Sequence, residues 1–313
     1  MKKEKSVHKL VYGLFAIVFA FGFNGANAQT PARHFSLYVC MNNIDAGGQK
    51  YLNDMHIQQV ALFDSRFIDP NNSNQCNTAT LTKAIVAAYP DSTASGIASL
   101  DWEGDMLNNL TKDTSSAEFK NSINEFSKAI QLAKTLRPNV KWGFYFIPFT
   151  TYYNRNTKWM SSNQQIAALL QQCDILFPSV YIYYQDGRFT PNDNEAYAAD
   201  NINEALKLGV QFNKPVLPFV WHRYHDSNHT IGLQLVPKDD FRNFITKILT
   251  TSYKNKHVDG LIWWGADGYF YRVKSAPLVN EFNSSGAADF GTYFNSMLAN
   301  YGNLILDAMK NVK

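Results

Sequence analysis

The sequence predicts an α/β fold in which about seven parallel strands alternate with helices and close into a TIM-like barrel within a single domain. Strand-like apolar runs recur at 35–41, 58–64, 96–103, 141–148, 174–183, 215–221 and 258–264. Helical periodicity fills 78–89, 116–136, 162–172, 194–210, 237–251 and 290–310, so β and α alternate in the order that builds a parallel sheet. The length suits one barrel, with no linker or low-complexity tract to divide it.

The chain opens with a basic start, Met1-Lys2-Lys3-Glu4-Lys5, an apolar stretch from Leu10 to Phe23 and the small-x-small site Ala26-Asn27-Ala28. Together these read as a cleaved export leader over 1–28, leaving 29–313 as the barrel domain and a destination that is periplasmic or secreted. Gln29 follows the cleavage site, where a lipid-anchored chain would carry cysteine. No later segment reaches the ~20 apolar residues of a membrane span. Without Lys2, Lys3, Lys5, Lys9 and Glu4, the 29 basic and 26 acidic residues become 25 of each. The formally neutral mature chain gives no argument for a nucleic-acid or membrane-surface partner.

The first strand ends at Cys40. The run Gly96-Ile97-Ala98-Ser99-Leu100 ends in Asp101-Trp102-Glu103. The strand period of two sends Asp101 and Glu103 to one face and Leu100 and Trp102 to the other. Two carboxyls sharing so small a volume cannot both ionise freely, so one keeps a proton near neutral pH. Glu103, nearer the strand tip, is the expected donor. A helix N-cap turn with solvated acids is the plain alternative, and the apolar strand in front of the motif argues against it. Active sites of such barrels form at the carboxyl ends of the strands. Here four later strand ends are aromatic: Trp142 to Pro148, Phe177 to Tyr184, Leu217 to Tyr224 and Gly260 to Gly265. Aromatics gathered at one pocket mouth beside an acid pair point to sugar stacking. The segment 290–310, after a loop at 283–287, is expected to cover the barrel.

Cys40, Cys76 and Cys173 are too few and too scattered for a disulfide framework or zinc site. Cys40 and Cys173 read as core thiols, and Cys76, in an Asn-rich loop, as a partner that could pair with Cys40. His222, His225 and His229 lie near Asp226. Their spacing could place two imidazoles on one helix face, but Pro218 and the Asp226-Ser227-Asn228 turn favour a loop, and no metal is expected.

These residues resemble the hyaluronidases of glycoside hydrolase family 56, as a divergent, bacterial-type exported member. Asp101-Trp102-Glu103 is similar to that family's catalytic Asp-x-Glu, Trp142-Gly143-Phe144-Tyr145 to its Trp-Gly-Tyr-Tyr strand, and Leu176 to Tyr181 to its Phe-Pro-Ser-Val-Tyr segment. Leu217 to Trp221 with Tyr224, and Gly260 to Trp264, complete five motifs in order. The resemblance implies a distorted seven-stranded barrel, no cofactor, a polysaccharide substrate such as a glycosaminoglycan, and a retaining mechanism in which the substrate's own N-acetyl oxygen attacks, an exception to the two-carboxylate scheme. It implies that Glu103 is the acid and base and that Asp101 supports the acetamido N–H. Tyr181 would hydrogen-bond the acetamido group, with Tyr145, Trp221, Tyr224 and Trp264 lining the sugar pocket.

The chain departs from the pattern after Glu103, where it reads Gly104-Asp105-Met106-Leu107, and after Pro148, where Phe149-Thr150 follow. An acidic polymer would need cations, for which Arg155, Lys158, Arg188, Arg223 and Arg272 are positional candidates. Two other readings compete. A chitinase-like enzyme of family 18 shares Asp-Trp-Glu but has further aspartates where this chain has Ser99 and Gly96. A glycan-binding barrel without catalysis would not need a proton donor beside an acetamido-orienting acid.

Overall fold

A computed structural model describes residues 34–153 and 155–312; the expected leader, 1–28, lies outside them. The strands are β1 Ser36–Met41, β2 Gln58–Gln59, β3 Ala61–Asp64, β4 Gly96–Asp101, β5 Val140–Phe144, β6 Phe219–Trp221 and β7 Gly260–Gly265. The helices are α1 Ala46–Asp54, α2 Ser65–Ile68, α3 Thr78–Ala88, α4 Asp105–Asn109, α5 Ala117–Leu136, α6 Thr157–Gln165, α7 Ala167–Gln172, α8 Asp193–Gln211, α9 Lys238–Thr250, α10 Asp267–Arg272, α11 Ala276–Ser284 and α12 Phe290–Asn311. The strands are parallel and form two sheets, β2-β1-β7-β6 and β3-β4-β5.

The expected strand 58–64 divides at Val60, whose N–H donates to Val39 O at 2.8 Å. One half then pairs with β1 and the other with β4, which carries the chain from one sheet to the next. The expected strand 174–183 exists only as isolated bridges, Phe177 to Tyr145, Leu176 to Val216 and Ser179 to Phe219. Pro178 in this segment and Pro215 and Pro218 beside it have no N–H to donate, so a continuous ladder cannot form. The remaining groups still bond: Leu217 N–H donates to Leu176 O at 3.0 Å and Val180 N–H to Phe219 O at 3.0 Å. The gap between β5 and β6 is filled, and the parallel strands run around a barrel-like circuit. Gly143 is required there, since a Cβ would lie 2.3 Å from Ile175 O.

Strand alternation sorts the apolar residues into two layers. Leu37, Val39, Leu100, Phe144 and Trp263 join the helices in an outer cluster. Cys40, Phe177, Phe219, Trp221 and Ile262 turn the other way and build a smaller inner one. The outer layer holds the helices by stripes at helical spacing, such as Phe119, Phe126, Ile130 and Ala133 of α5. That helix starts where Ser116 Oγ accepts from Phe119 N–H. The last helix, α12, packs against α1 and α9 as part of the outer wall. Cys40 and Cys76 are separate buried thiols, so the suggested pairing does not form.

Arg223, a candidate substrate cation from sequence, is instead fully buried. Its Nε–H donates to Asp267 Oδ1 at 2.7 Å and Nη1–H to Glu281 Oε2 at 2.8 Å. Trp263 Nε1–H donates to His222 Nδ1 at 3.0 Å, which leaves the imidazole proton on Nε2, facing Asp267 Oδ1 at 3.3 Å. Burial alone would raise the Asp267 carboxyl, but Arg223 and His222 outweigh it and hold the group well below the usual carboxylate range. This network fixes the first residue of α10 to the segment after β6. Arg223→Leu leaves the buried Asp267 and the half-buried Glu281 without their cation, and urea unfolding should show a loss of about 3–5 kcal/mol. A loss within experimental error would mean that the network does not hold α10.

Candidate active site

At the carboxyl ends of the strands lies a cavity of about 650 Å³. Asp64 of β3, Asp101 of β4, Trp221 of β6 and Trp264 of β7 all reach it, so it opens above the inner aromatic layer. As the period of two requires, Leu100 and Trp102 turn outward and are buried, Trp102 stacking on Phe126 of α5 at 5.2 Å. That stack anchors the residue between the two acids, so Asp101 and Glu103 both face the cavity.

The two acids sit in different environments. Asp101 Oδ1 is enclosed and has no hydrogen-bond partner among the described residues. Burial, then the Glu103 carboxylate, then Asp64 raise the Asp101 carboxyl well above its ordinary range. Glu103 is more open. It is raised by burial and by Asp226, which approaches from the loop after β6. Both acids therefore favour their protonated forms more than free side chains do. Mutual repulsion of the pair, expected from their spacing, is not the leading cause: burial comes first for both acids, and the charge acting on Glu103 is Asp226.

The walls are aromatic. Tyr145 Oη lies 3.1 Å from Ser179 Oγ, and its ring is 6.1 Å from that of Tyr181. Tyr181 stacks on Trp264 at 5.7 Å, and Trp264 meets Trp221 edge-on at 4.7 Å. Burial pushes both tyrosine hydroxyls well above their usual range, so they remain protonated donors at neutral pH. Asp101, Glu103, Tyr145, Tyr181, Trp221 and Trp264 thus converge on one space.

Tyr224 does not. It packs into the outer core, and its expected place in the cavity is corrected. Arg223 pairs in antiparallel fashion with Leu235, and Tyr224 N–H donates to Gln234 O, which turns the chain after β6 away from the cavity. His225 is the residue that lines it, stacked on Tyr183 at 4.6 Å. The segment 222–230 is irregular and turn-like, so the three histidines share no helix face. His222 is buried with Asp267, whereas His225 lies at the cavity.

Of the positional cations, Arg272 lines the cavity, whereas Arg155, Lys158, Arg188 and Arg223 do not. Arg66 was not anticipated. It follows Asp64, which is paired in register with Asp101, and its guanidinium grips the Asp64 carboxylate by Nε at 3.0 Å and Nη2 at 2.5 Å. A strand run ending in an acid, Ala61-Leu62-Phe63-Asp64, was the available signal.

A family model described as Hyaluronidase, glycoside hydrolase family 56, matches residues 103–284, which begin at Glu103 and cover more than half of the chain. The hyaluronidase of Polybia paulista is 26% identical over 164 residues, covering 50% of this chain and 53% of that protein. The chain spans about half the length of the curated relatives it matches. A crystal structure of bee venom hyaluronidase superposes with a TM-score of 0.65 at 17% identity, covering 89% of this chain and 100% of that one. A second, of the bee venom enzyme in complex with a hyaluronic acid tetramer, gives 0.58 at 18% identity, covering 82% and 98%. At these identities the structures establish a shared fold. With the family match across residues that include Glu103, Tyr145, Tyr181, Trp221 and Trp264, the chain belongs to the hyaluronidase family, glycoside hydrolase family 56.

Proposed function

We propose that this chain is an endo-β-N-acetylhexosaminidase that hydrolyses hyaluronan or a related glycosaminoglycan. The observation that carries the reading is the pairing of an enclosed, unpartnered Asp101 oxygen with a more open, raised Glu103 in an aromatic cavity. In support, a family relative of the same fold is described in complex with a hyaluronic acid tetramer.

In the proposed reaction a 2-acetamido sugar sits against Trp264 with its acetamido N–H toward Asp101. The acetamido carbonyl oxygen attacks the anomeric carbon as the bond to the leaving oxygen breaks, and Glu103 gives that oxygen its proton. The cyclic intermediate carries positive charge, which Asp101 opposes. Its ionised form becomes favourable at that moment, a preorganised effect of typically a few kcal/mol. Tyr181 holds the acetamido group for attack. Glu103, now a carboxylate, takes a proton from water as the water opens the ring, which restores both the acetamido group and the acid with net retention. No enzyme nucleophile forms a bond. We further propose that residues 1–28 direct export and are removed, leaving 29–313 as one barrel domain.

Reducing-end release from hyaluronan, with chondroitin and chitin oligosaccharides in parallel, tests this reading. Glu103→Gln should lower kcat by about 10²–10⁴-fold; activity equal to wild type would remove Glu103 from the chemistry. Cleavage of chitin oligosaccharides alone would keep the mechanism and overturn the substrate.

The pH dependence has a definite sign. The acid form of Glu103 is lost as pH rises through its raised value, so kcat/KM falls on that limb. Because Asp226 is one cause of the rise, Asp226→Asn should move this alkaline limb to lower pH. A limb that stays put, or moves up, would contradict the coupling.

Asp101 gives a stability counterpart. Its folded value lies above the unfolded one of ~3.9, so the folded state binds more protons across the interval and stability falls as pH rises through it. Asp101→Asn should abolish that fall while lowering kcat about 10²–10³-fold. Melting temperatures measured across pH decide it: identical pH profiles for both proteins would mean that Asp101 ionises without cost.

A further inference from the structure

The charges around the cavity are unevenly committed. Four acids line it, Asp64, Asp101, Glu103 and Asp226, against two arginines and His225. Burial lowers His225 from its ordinary range, which favours the neutral imidazole. Arg66 is held by both oxygens of Asp64, so its charge is balanced within the protein. Arg272 alone among the described lining cations makes no ion pair; its guanidinium lies 5.9 Å from the Tyr269 ring.

Arg272 is also on a fixed support. Asp267, the first residue of α10, is locked to Arg223 at 2.7 Å, and α10 follows the strand that ends in Trp264 and Gly265. Tyr269 and Arg272, three residues apart, share one helix face and both reach the cavity. An exposed ring beside an uncommitted guanidinium suits a sugar with a flat apolar face and a carboxylate. Hyaluronan and chondroitin place a uronic acid next to every N-acetylhexosamine, so in the proposed reaction the sugar adjoining the one held at Asp101 and Glu103 has that character.

We infer that Arg272, supported by Tyr269, is the specificity residue of this site, pairing its guanidinium with the uronate carboxylate that adjoins the N-acetylhexosamine held at the acids. The inference deepens the proposed hydrolysis and rests on it. It explains how a cavity with more acids than bases accepts a polyanion: one fork-shaped cation without an ion pair among the described residues meets the carboxylate nearest the acids.

The test compares hyaluronan with carboxyl-reduced hyaluronan, the same polymer with each uronate converted to a neutral sugar. Wild type should prefer hyaluronan in kcat/KM. Arg272→Gln should lose roughly tenfold or more of that preference, mainly through KM, as expected for a lost hydrogen bond to a charged group. Arg272→Lys should recover part of it, since the charge returns without the fork. Arg66→Gln should keep the preference. The inference is overturned if Arg272→Gln discriminates as wild type does, or if wild type shows no preference. If wild type cleaves neither polymer, the reading as a hyaluronan hydrolase fails. Affinity electrophoresis in gels holding each polymer then decides on Arg272 separately: retardation by hyaluronan that Arg272→Gln abolishes upholds carboxylate recognition, and equal mobility of both proteins rejects it.

Discussion

Holding the Asp101 carboxyl out of water at the end of a strand is the constraint around which the rest of the site is arranged. Such a group is costly to ionise, and Glu103 and Asp64 add repulsion to the cost of burial. Its enclosed oxygen finds no partner among the described residues. The fold can tolerate this because β4 is anchored elsewhere: Trp102 stacks on Phe126, and β3 and β5 pair with β4 on either side. In the proposed reaction this is the point that the substrate N–H would meet, as expected for a site prepared for charge that develops during reaction.

The aromatic inner layer keeps that cost high. Tyr145, Tyr181, Trp221 and Trp264 replace water around the acids with low-polarity ring faces and a few fixed hydroxyls. A medium of this kind strengthens each remaining charge interaction. It is why Asp226, on a loop distant in sequence, contributes to the state of Glu103. The same rings present flat apolar faces to the cavity, which the proposed sugar substrate would stack on.

Behind this layer the polar demands are met in the opposite way. Arg223, His222, Asp267, Glu281 and Tyr293 are joined in one hydrogen-bonded network, with Trp263 setting the histidine tautomer, and Arg223 opposes the charge of both acids even though Asp267 Oδ2 has no hydrogen-bond partner among the described residues. Asp101 faces the cavity with acids for neighbours, whereas Asp267 holds the helix beside it against the Arg223 guanidinium. The contrast separates an acid whose charge its neighbours oppose from one whose charge they stabilise, although both are buried aspartates near strand ends.

The sequence by itself determined the features that depend on near neighbours. Strand alternation put Asp101 and Glu103 on the face opposite Trp102. The spacing of apolar residues marked the helices at 117–136, 193–211 and 238–250 almost to the residue, and the order of motifs carried the family likeness. Tertiary structure decided whatever depends on residues far apart in the chain. The run 174–183 has strand character, but prolines in it and in its neighbour reduce the ladder to bridges. Tyr224 and His225 exchange places because the chain after β6 pairs with Leu235, which no local pattern announces. Arg223 and Arg272 look alike as sequence positions, yet one is buried between two acids and the other is free at the cavity. Desolvation and the fields of remote charges are properties of the folded surroundings, so which acid is raised, and by what, could be read only there.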